Sequence, residues 1–498
     1  ISDIMGNDEA VMGYVWGARA VSRRELFVRT HVPGLDDIIP GFPEGGLILV
    51  AGLPGTGKTV FGMTFIYRGA SIGGEPGVYV STCESRERFL QLASRLGMDF
   101  ERLMMEGLAE HLWIPLTAEE GVSMSVNTVL ERVESLGARR LVIDSFTALK
   151  QQFKSPGEAR IFLQTLLSKI LEKLRCTTLL IKEGEPLAEA PDFEEYVADG
   201  VLCLRRGYFE RRPIRRLEIL KLRGAELRNP RLICTIKDGF RVIPPTRIPA
   251  PAKTPEHGPS ELWPPPDPPG AYTTGILDLD RELGGYQPGS TVLVEIDPRL
   301  TFREYNMIVG PMTAGFVLKG RHQLTIPSGG VSPDLLRESF RVYGVDEQAF
   351  FERHHIFYER SAVIEKMPNV IEVDLRFADD VGRGITELML RLVRETGEPV
   401  LVAMGVDRIV RFAGEEGLKL LSMAQDLVRA LRCLMLWIVK PTMPWLIERL
   451  APIADVHLKI TRRHGCMLIH GVKPRTPLYA IQLDPRKSPP IPELVSIV

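Results

Sequence analysis

The chain has 498 residues, too many for one ordinary core, so two or more domains are expected. With 44% hydrophobic and 25% charged residues and a net charge of −1, it has the profile of a folded globular protein with no bulk electrostatic pull toward nucleic acid or anionic lipid. No apolar run approaches the roughly 18–20 residues needed to span a bilayer.

The opening segment, ISDIMGNDEA, lacks a basic stretch followed by an apolar one, so no secretory signal is expected. Cys83, Cys176, Cys203, Cys234, Cys433 and Cys466 form no CxxC pair. They read as reduced, mostly buried thiols, without a zinc site, in a cytoplasmic protein. Five Asn and nine Gln are few for this length and hint at a thermophilic source.

In chain order, the first half alternates strand and helix patterns. Leu47–Ala51 reads as a short buried strand, Lys58–Ser71 as a helix, Val78–Ser81 as a strand and Ser85–Leu96 as an amphipathic helix. Leu112–Pro115, Leu141–Asp144 and Thr178–Ile181 read as further strands, with a long helix over Glu158–Leu174. Such alternation predicts a mostly parallel sheet flanked by helices. Gly200–Arg206 and Arg215–Leu222 are expected to form an edge hairpin.

Residues 244–270 hold eleven prolines and read as a semi-rigid, extended linker. They divide the chain into domains 1–243 and 271–498. The second half repeats the first: Gly34, Leu35 and Asp36 face Gly275, Ile276/Leu277 and Asp278, and Gly45 faces Gly289. Near the ends, Val197-Ala198-Asp199 faces Ile453-Ala454-Asp455, and Lys221-Leu222-Arg223 faces Lys473-Pro474-Arg475. Ordered matches on both sides of one linker argue for duplication.

The decisive motif is Gly52-Leu53-Pro54-Gly55-Thr56-Gly57-Lys58-Thr59, a full GxxxxGK[ST] loop between a buried strand and a helix. Its glycines let the backbone wrap a phosphate, and the helix N-terminus adds positive potential. Lys58 is expected to neutralise the β- and γ-phosphates of ATP or ADP, and Thr59 to hold Mg²⁺. Asp144, ending an apolar strand, is the expected second Mg²⁺ residue; the alternative is an N-cap for the next helix. Glu84 follows the strand ending at Ser81 and is placed to orient the attacking water; the alternative is an exposed glutamate opening a helix.

These pieces resemble the KaiC branch of the RecA-like ATPases. The matching segments are residues 34–59, YVSTCES (79–85), LVIDS (141–145), YVADGVLCLRR (196–206) and KLRG (221–224), in the family's order. The resemblance implies an α/β fold of two tandem RecA-like P-loop domains. It also implies a pair of glutamates after the second strand; here the first is Cys83, which leaves Glu84 alone and points to slow hydrolysis. It implies further that Lys221 and Arg223 reach ATP held by a neighbouring subunit, in a homo-oligomer such as a hexamer assembled through the first domain. The alternative is that both are solvated edge-strand side chains.

The second half lacks the phosphate loop. Glu295-Ile296-Asp297-Pro298-Arg299-Leu300-Thr301-Phe302 has neither glycines nor lysine, and its acids would repel a triphosphate. The strand Val400–Met404 carries its acid displaced, at Asp407. Arg205, Arg206, Arg211, Arg212, Arg215 and Arg216 form a basic cluster. It reads as a solvated or subunit-facing hairpin, with nucleic acid, an acidic partner or a neighbour's nucleotide as alternatives. His354 and His355 are adjacent and point apart, so no metal site is expected.

The expected function is a slow, regulatory, KaiC-like ATPase with one nucleotide site and an unidentified protein partner. A nucleotide-dependent binding switch, such as a gas-vesicle-type regulator, is the alternative. A DNA recombinase or helicase relative fits less well with the neutral charge and the lack of an aromatic-basic DNA loop.

Overall fold

The computed structural model describes residues 27–114, 122–153, 155–166, 174–186, 192–248, 263–359, 367–440, 444–484 and 489–498. Two short strands, β1 (Phe27–Val28) and β2 (Phe42–Pro43), pair antiparallel. They precede a nine-stranded sheet of β3 (Leu47–Gly52), β4 (Gly77–Ser81), β5 (Ala109–Trp113), β6 (Arg140–Asp144), β7 (Thr177–Glu183), β8 (Gly200–Phe209), β9 (Arg212–Leu222), β10 (Arg231–Thr235) and β11 (Arg241–Ile243). The order is β11-β10-β9-β8-β3-β7-β6-β4-β5. Strands β3 to β8 run parallel. Every residue of β3 is buried, as a parallel strand covered on both faces requires, and its apolar run LILVA follows from that burial.

The second sheet holds β12 (Thr291–Ile296), β13 (His322–Ile326), β14 (His354–Glu359), β15 (Val370–Val373), β16 (Val400–Gly405), β17 (Leu434–Val439), β18 (Val456–Arg463), β19 (Cys466–Lys473), β20 (Leu478–Gln482) and β21 (Glu493–Ile497). Its order is β15-β14-β13-β16-β17-β12-β18-β19-β20-β21. Read from β5, the first sheet runs 5-4-6-7-3-8-9-10-11. Read from β14, the second runs 14-13-16-17-12-18-19-20-21, strand for strand the same, with β15 added at one edge. Both are α/β sheets, mostly parallel and flanked by helices.

Shared hydrogen bonds support the repeat. The amide of Leu47 donates to Asp199 Oδ2 at 3.0 Å, and that of Thr291 to Asp455 Oδ2 at 2.8 Å. Lys221 Nζ donates to the Tyr196 carbonyl at 3.0 Å, and Lys473 Nζ to the matching Pro452 carbonyl at 3.5 Å. One expected match is corrected. Asp36 accepts from the Thr30 amide at 2.9 Å, and its counterpart is Asp280, which accepts from the Thr274 amide at 2.6 Å, not Asp278. The buried leucine before the carboxylate sets the register: Leu35 precedes Asp36, and Leu279 precedes Asp280. Asp278 instead pairs with Arg281.

The chain forms two compact units. The first comprises Ile1–Arg205, Leu217–Arg231 and Asp238–Val242; the second comprises Arg206–Arg216, Leu232–Lys237 and Ile243–Val498. The first unit's core sets Leu47, Leu49, Leu141 and Leu180 from the sheet against Val129, Val133 and Leu163 of the helices. In the second unit, one core of Ile214, Ile233, Ile243, Cys466, Leu468 and Leu478 includes the hairpin tip and β10. The hairpin strands run further than the arginine-rich sequence suggests, to Phe209 and from Arg212. The helix expected over Glu158–Leu174 is described over Pro156–Leu166, and residues 167–173 lie outside the described residues, as does the Pro115 end of the third expected strand. Among the described residues no helix is long and apolar enough to cross a membrane.

Candidate functional site

Strand β3 ends at Gly52, and after a five-residue loop the helix Lys58–Gly73 begins. Gly52 has φ 151°, and a Cβ there would lie 2.4 Å from the Leu204 carbonyl oxygen, so only glycine lets the chain leave the sheet at this point. Gly57 has φ 107° and caps the helix without a side chain; no acid stands in the first turn. The first-turn amides, lacking intrahelical acceptors, carry the positive end of the helix dipole toward the loop. Lys58 is buried, and its Nζ donates to the carbonyls of Gly52 at 2.8 Å and Leu53 at 3.0 Å. Burial pushes its pKa down, against the nearby charges of Glu183 and Asp144.

Asp144, at the end of β6, faces this loop. One of its oxygens, Oδ2, accepts from Thr59 Oγ1 at 2.8 Å and from the Tyr79 hydroxyl at 2.7 Å. Burial raises the Asp144 pKa, while the Tyr79 and Thr59 hydrogen bonds and Lys58 pull it down. The N-cap alternative for Asp144 fails, because Ser145 caps the next helix by accepting from the Ala148 amide. Ser81 stands opposite Asp144 in the β4–β6 pairing, and Glu84 lies three residues on, its amide held by Ser81 Oγ at 3.0 Å. Burial raises the Glu84 pKa, and the Asp144 charge adds to the effect. Ser85, not Glu84, caps the following helix. Cys83 beside it is exposed.

Lys221 and Arg223 lie elsewhere. Lys221 Nζ donates to the Glu195 and Tyr196 carbonyls, and Arg223 to the Asp199 carboxylate and the Tyr196 carbonyl. Asp199 in turn holds the amide of Leu47, at the start of β3. The P-loop leaves the other end of β3, five residue steps or about 17 Å away. The two cations therefore do not meet the P-loop of their own chain.

Two residues at the site were not singled out in the sequence. Tyr79 binds the Asp144 carboxylate across 65 residues of chain, and Glu183 ends β7 close enough to act on Lys58. The one sequence signal for Glu183 is an acid ending an apolar strand, TTLLIKE, the same pattern as Asp144.

In the second half the loop Asp297–Thr301 has the same five-residue length but is chemically closed. Asp297 pairs with Arg299 at 2.6 Å, which holds its pKa down at about 2. Glu304, in the first turn of the helix Phe302–Leu318, accepts from the amide and hydroxyl of Thr301 and pairs with Arg462. A carboxylate already occupies this helix N-terminus, where an anion would bind. Among the described residues no group of three or more His, Cys, Asp or Glu is placed to hold a metal ion.

A glycine loop opening a helix after a buried parallel strand, with Lys-Thr at its end and a carboxylate facing the threonine, defines a P-loop nucleotide-binding domain. Residues 28–247 match the family model of the KaiC ATPase. A circadian clock oscillator protein KaiC of Synechococcus elongatus is 34% identical over 230 residues, 44% of each chain. A circadian clock protein KaiC2 of a Synechocystis species is 29% identical over 276 residues, 53% of this chain and 46% of the relative. A solved KaiC-like protein of Pyrococcus horikoshii aligns with 44% of this chain and 99% of its own, at 31% identity and a TM-score of 0.40. The first half of the chain is thus a KaiC-like domain of the RecA-type P-loop ATPases. The chain spans less than half the length of the curated relatives it matches.

Proposed function

We propose that the first half binds ATP with Mg²⁺ and hydrolyses it slowly, as a regulatory ATPase with one nucleotide site per chain. The observation that carries this reading is the convergence of Thr59 and Asp144 at the mouth of the Gly52–Thr59 loop, at 2.8 Å. Thr59 and Asp144 would hold Mg²⁺, which neutralises charge on the β- and γ-phosphates when bound. Lys58, held by two neutral carbonyls, gains a stronger acceptor in a phosphate oxygen. The backbone N–H groups of Leu53 and of residues 55–59 line the phosphate cradle; Pro54 has none to give. Glu84 takes the proton of the attacking water, and its raised pKa makes it a stronger base than an ordinary glutamate.

Lys221 and Arg223, remote from their own loop, act on the loop of a neighbouring copy, so the active form is a homo-oligomer built through the first half. The second half, with its anion site closed by Glu304, serves structure or a protein partner. A second reading is a nucleotide-dependent switch with little turnover, favoured by Cys83 where the family has its first glutamate. Steady-state ATP turnover measured beside solution mass separates the two. Turnover on the order of 10²–10⁴-fold lower in Glu84→Gln, at unchanged ATP affinity, supports the ATPase. Undetectable turnover by the parent, with ATP still bound, supports the switch.

A further inference from the structure

The arginine-rich hairpin is not used by this ATPase reading. Glu210 and Arg211 both have positive φ, 50° and 59°, the signature of a two-residue type I′ turn. That turn fixes the register: Phe209 faces Arg212, Tyr208 faces Pro213, Gly207 faces Ile214 and Arg206 faces Arg215. Pro213 falls at a position that donates no ladder hydrogen bond, as proline requires. Ile214 turns into the core with Ile233 and Cys466. Arg206, Tyr208 and Arg215 therefore share the opposite face.

Arg206 and Arg215 form a non-hydrogen-bonded cross-strand pair, the kind that brings side chains closest. Two arginines in that relation repel, and burial together with the Arg206 charge holds the Arg215 pKa down. Nε and Nη1 of Arg215 are buried without a hydrogen-bond partner. Other cations gather around the turn. Arg475 donates to the Arg211 carbonyl at 2.9 Å, and Arg463 lies over the Phe209 ring. The acid at the tip, Glu210, is already engaged by Lys459 at 3.0 Å. Among the described residues, none of Arg206, Arg211, Arg215, Arg463 and Arg475 makes an ion pair. Tyr208, on the same face as the arginine pair, is 76% exposed.

A row of uncompensated arginines needs a polyanion, and an exposed aromatic among them suits a base better than it suits a carboxylate. We propose that this hairpin face binds single-stranded nucleic acid, with backbone phosphates on Arg206 and Arg215 and a base stacked on Tyr208. The chain's neutral net charge makes this a local device and not a bulk attraction.

The test is fluorescence anisotropy of a labelled single-stranded oligonucleotide of about 20 nucleotides with the full chain, across a salt series. The parent binds, and its affinity falls with salt. Arg206→Ala/Arg215→Ala weakens binding at least tenfold and makes the slope of log K against log salt shallower by about 1.4, two phosphates' worth for a single strand. Tyr208→Ala weakens binding by about fivefold or more, and Tyr208→Phe restores it. Thermal melts of the variants check that they remain folded. No binding by the parent at about 50 mM salt overturns the proposal. So does equal binding by folded Arg206→Ala/Arg215→Ala. Capture of polyglutamate in place of the oligonucleotide would assign the face to an acidic protein. The hairpin face shares no residue with the P-loop, so Lys58→Ala should leave this binding unchanged, and its outcome is read independently of the ATPase.

Discussion

Thr59 and Tyr79 meet on one oxygen of Asp144, and the two hydroxyls offset part of the burial that raises its pKa. Tyr79→Phe removes one of them. The Asp144 pKa then rises, so the Mg²⁺ concentration needed for half-maximal turnover increases, and the fold loses about 1.5–3 kcal/mol for a hydrogen bond to a charged group. A Mg²⁺ titration of turnover checks the first effect, and denaturant unfolding without nucleotide the second. Glu84 must be ionised to accept a proton, and its pKa lies above the ordinary range. Turnover should therefore fall with decreasing pH along a limb displaced upward from that of a free glutamate, and Glu84→Gln should abolish the limb along with most of the rate. The loop residues 52–59 were legible in sequence because their chemistry is local and contiguous. Tyr79 was not, because its partner comes from another strand.

At the scale of elements, the short helix Phe193–Val197 is held at both ends. Lys150 and Lys182 reach its first turn, pairing with Asp192 and Glu194 in one case and with Asp192 and Glu195 in the other, while its last carbonyls accept from Lys221 and Arg223. Lys182→Met removes the cation that pairs with Asp192 and the buried Glu195. Loss of about 3–5 kcal/mol is expected in denaturant unfolding, with most of it restored in Lys182→Met/Glu195→Met. Weakened ATP-dependent assembly should accompany the single change, since the helix seats both cations proposed to act on the neighbour. The sequence placed the strands of the parallel sheet within a few residues, since unbroken apolar runs admit little else. It shortened the β8–β9 hairpin, because Arg206–Arg216 is polar and its turn, Glu210-Arg211, carries none of the Gly or Asn that usually announces a type I′ turn.

At the scale of the whole molecule, two sheets of one strand order carry one intact phosphate loop and one closed by its own acids. The duplication was legible from ordered matches on either side of the proline-rich segment. The Asp36 match slipped by two residues, because the position is set by a buried leucine and a carboxylate's hydrogen bonds rather than by glycine spacing. A chain ending near residue 250 would expose Ile214, Ile233 and Ile243, which share a core with Cys466, Leu468 and Leu478. That truncation should lower solubility and the melting temperature, and polar replacements at those three positions should recover solubility.

Acid should also weaken the fold early. Burial holds His354 down at about 3 and His111, His355 and His470 at about 4, against an ordinary value of 6.5. The unfolded chain takes up these protons first, so their contribution is intact above pH 6.5 and is lost as pH falls through the folded-state values. Each contributes a slope approaching about 1.4 kcal/mol per pH unit. Denaturant midpoints should therefore drop between pH 6.5 and 5, and restoring mutations such as His354→Gln should flatten the fall.

The central claim, one ATP site per chain at residues 52–59, is tested most directly by calorimetric titration of the full chain with Mg²⁺ and a non-hydrolysable ATP analogue. One equivalent per chain, lost in Lys58→Ala and unaffected by Arg299→Ala in the second half's loop, is the predicted result. Two equivalents per chain, or one that survives Lys58→Ala, would contradict it.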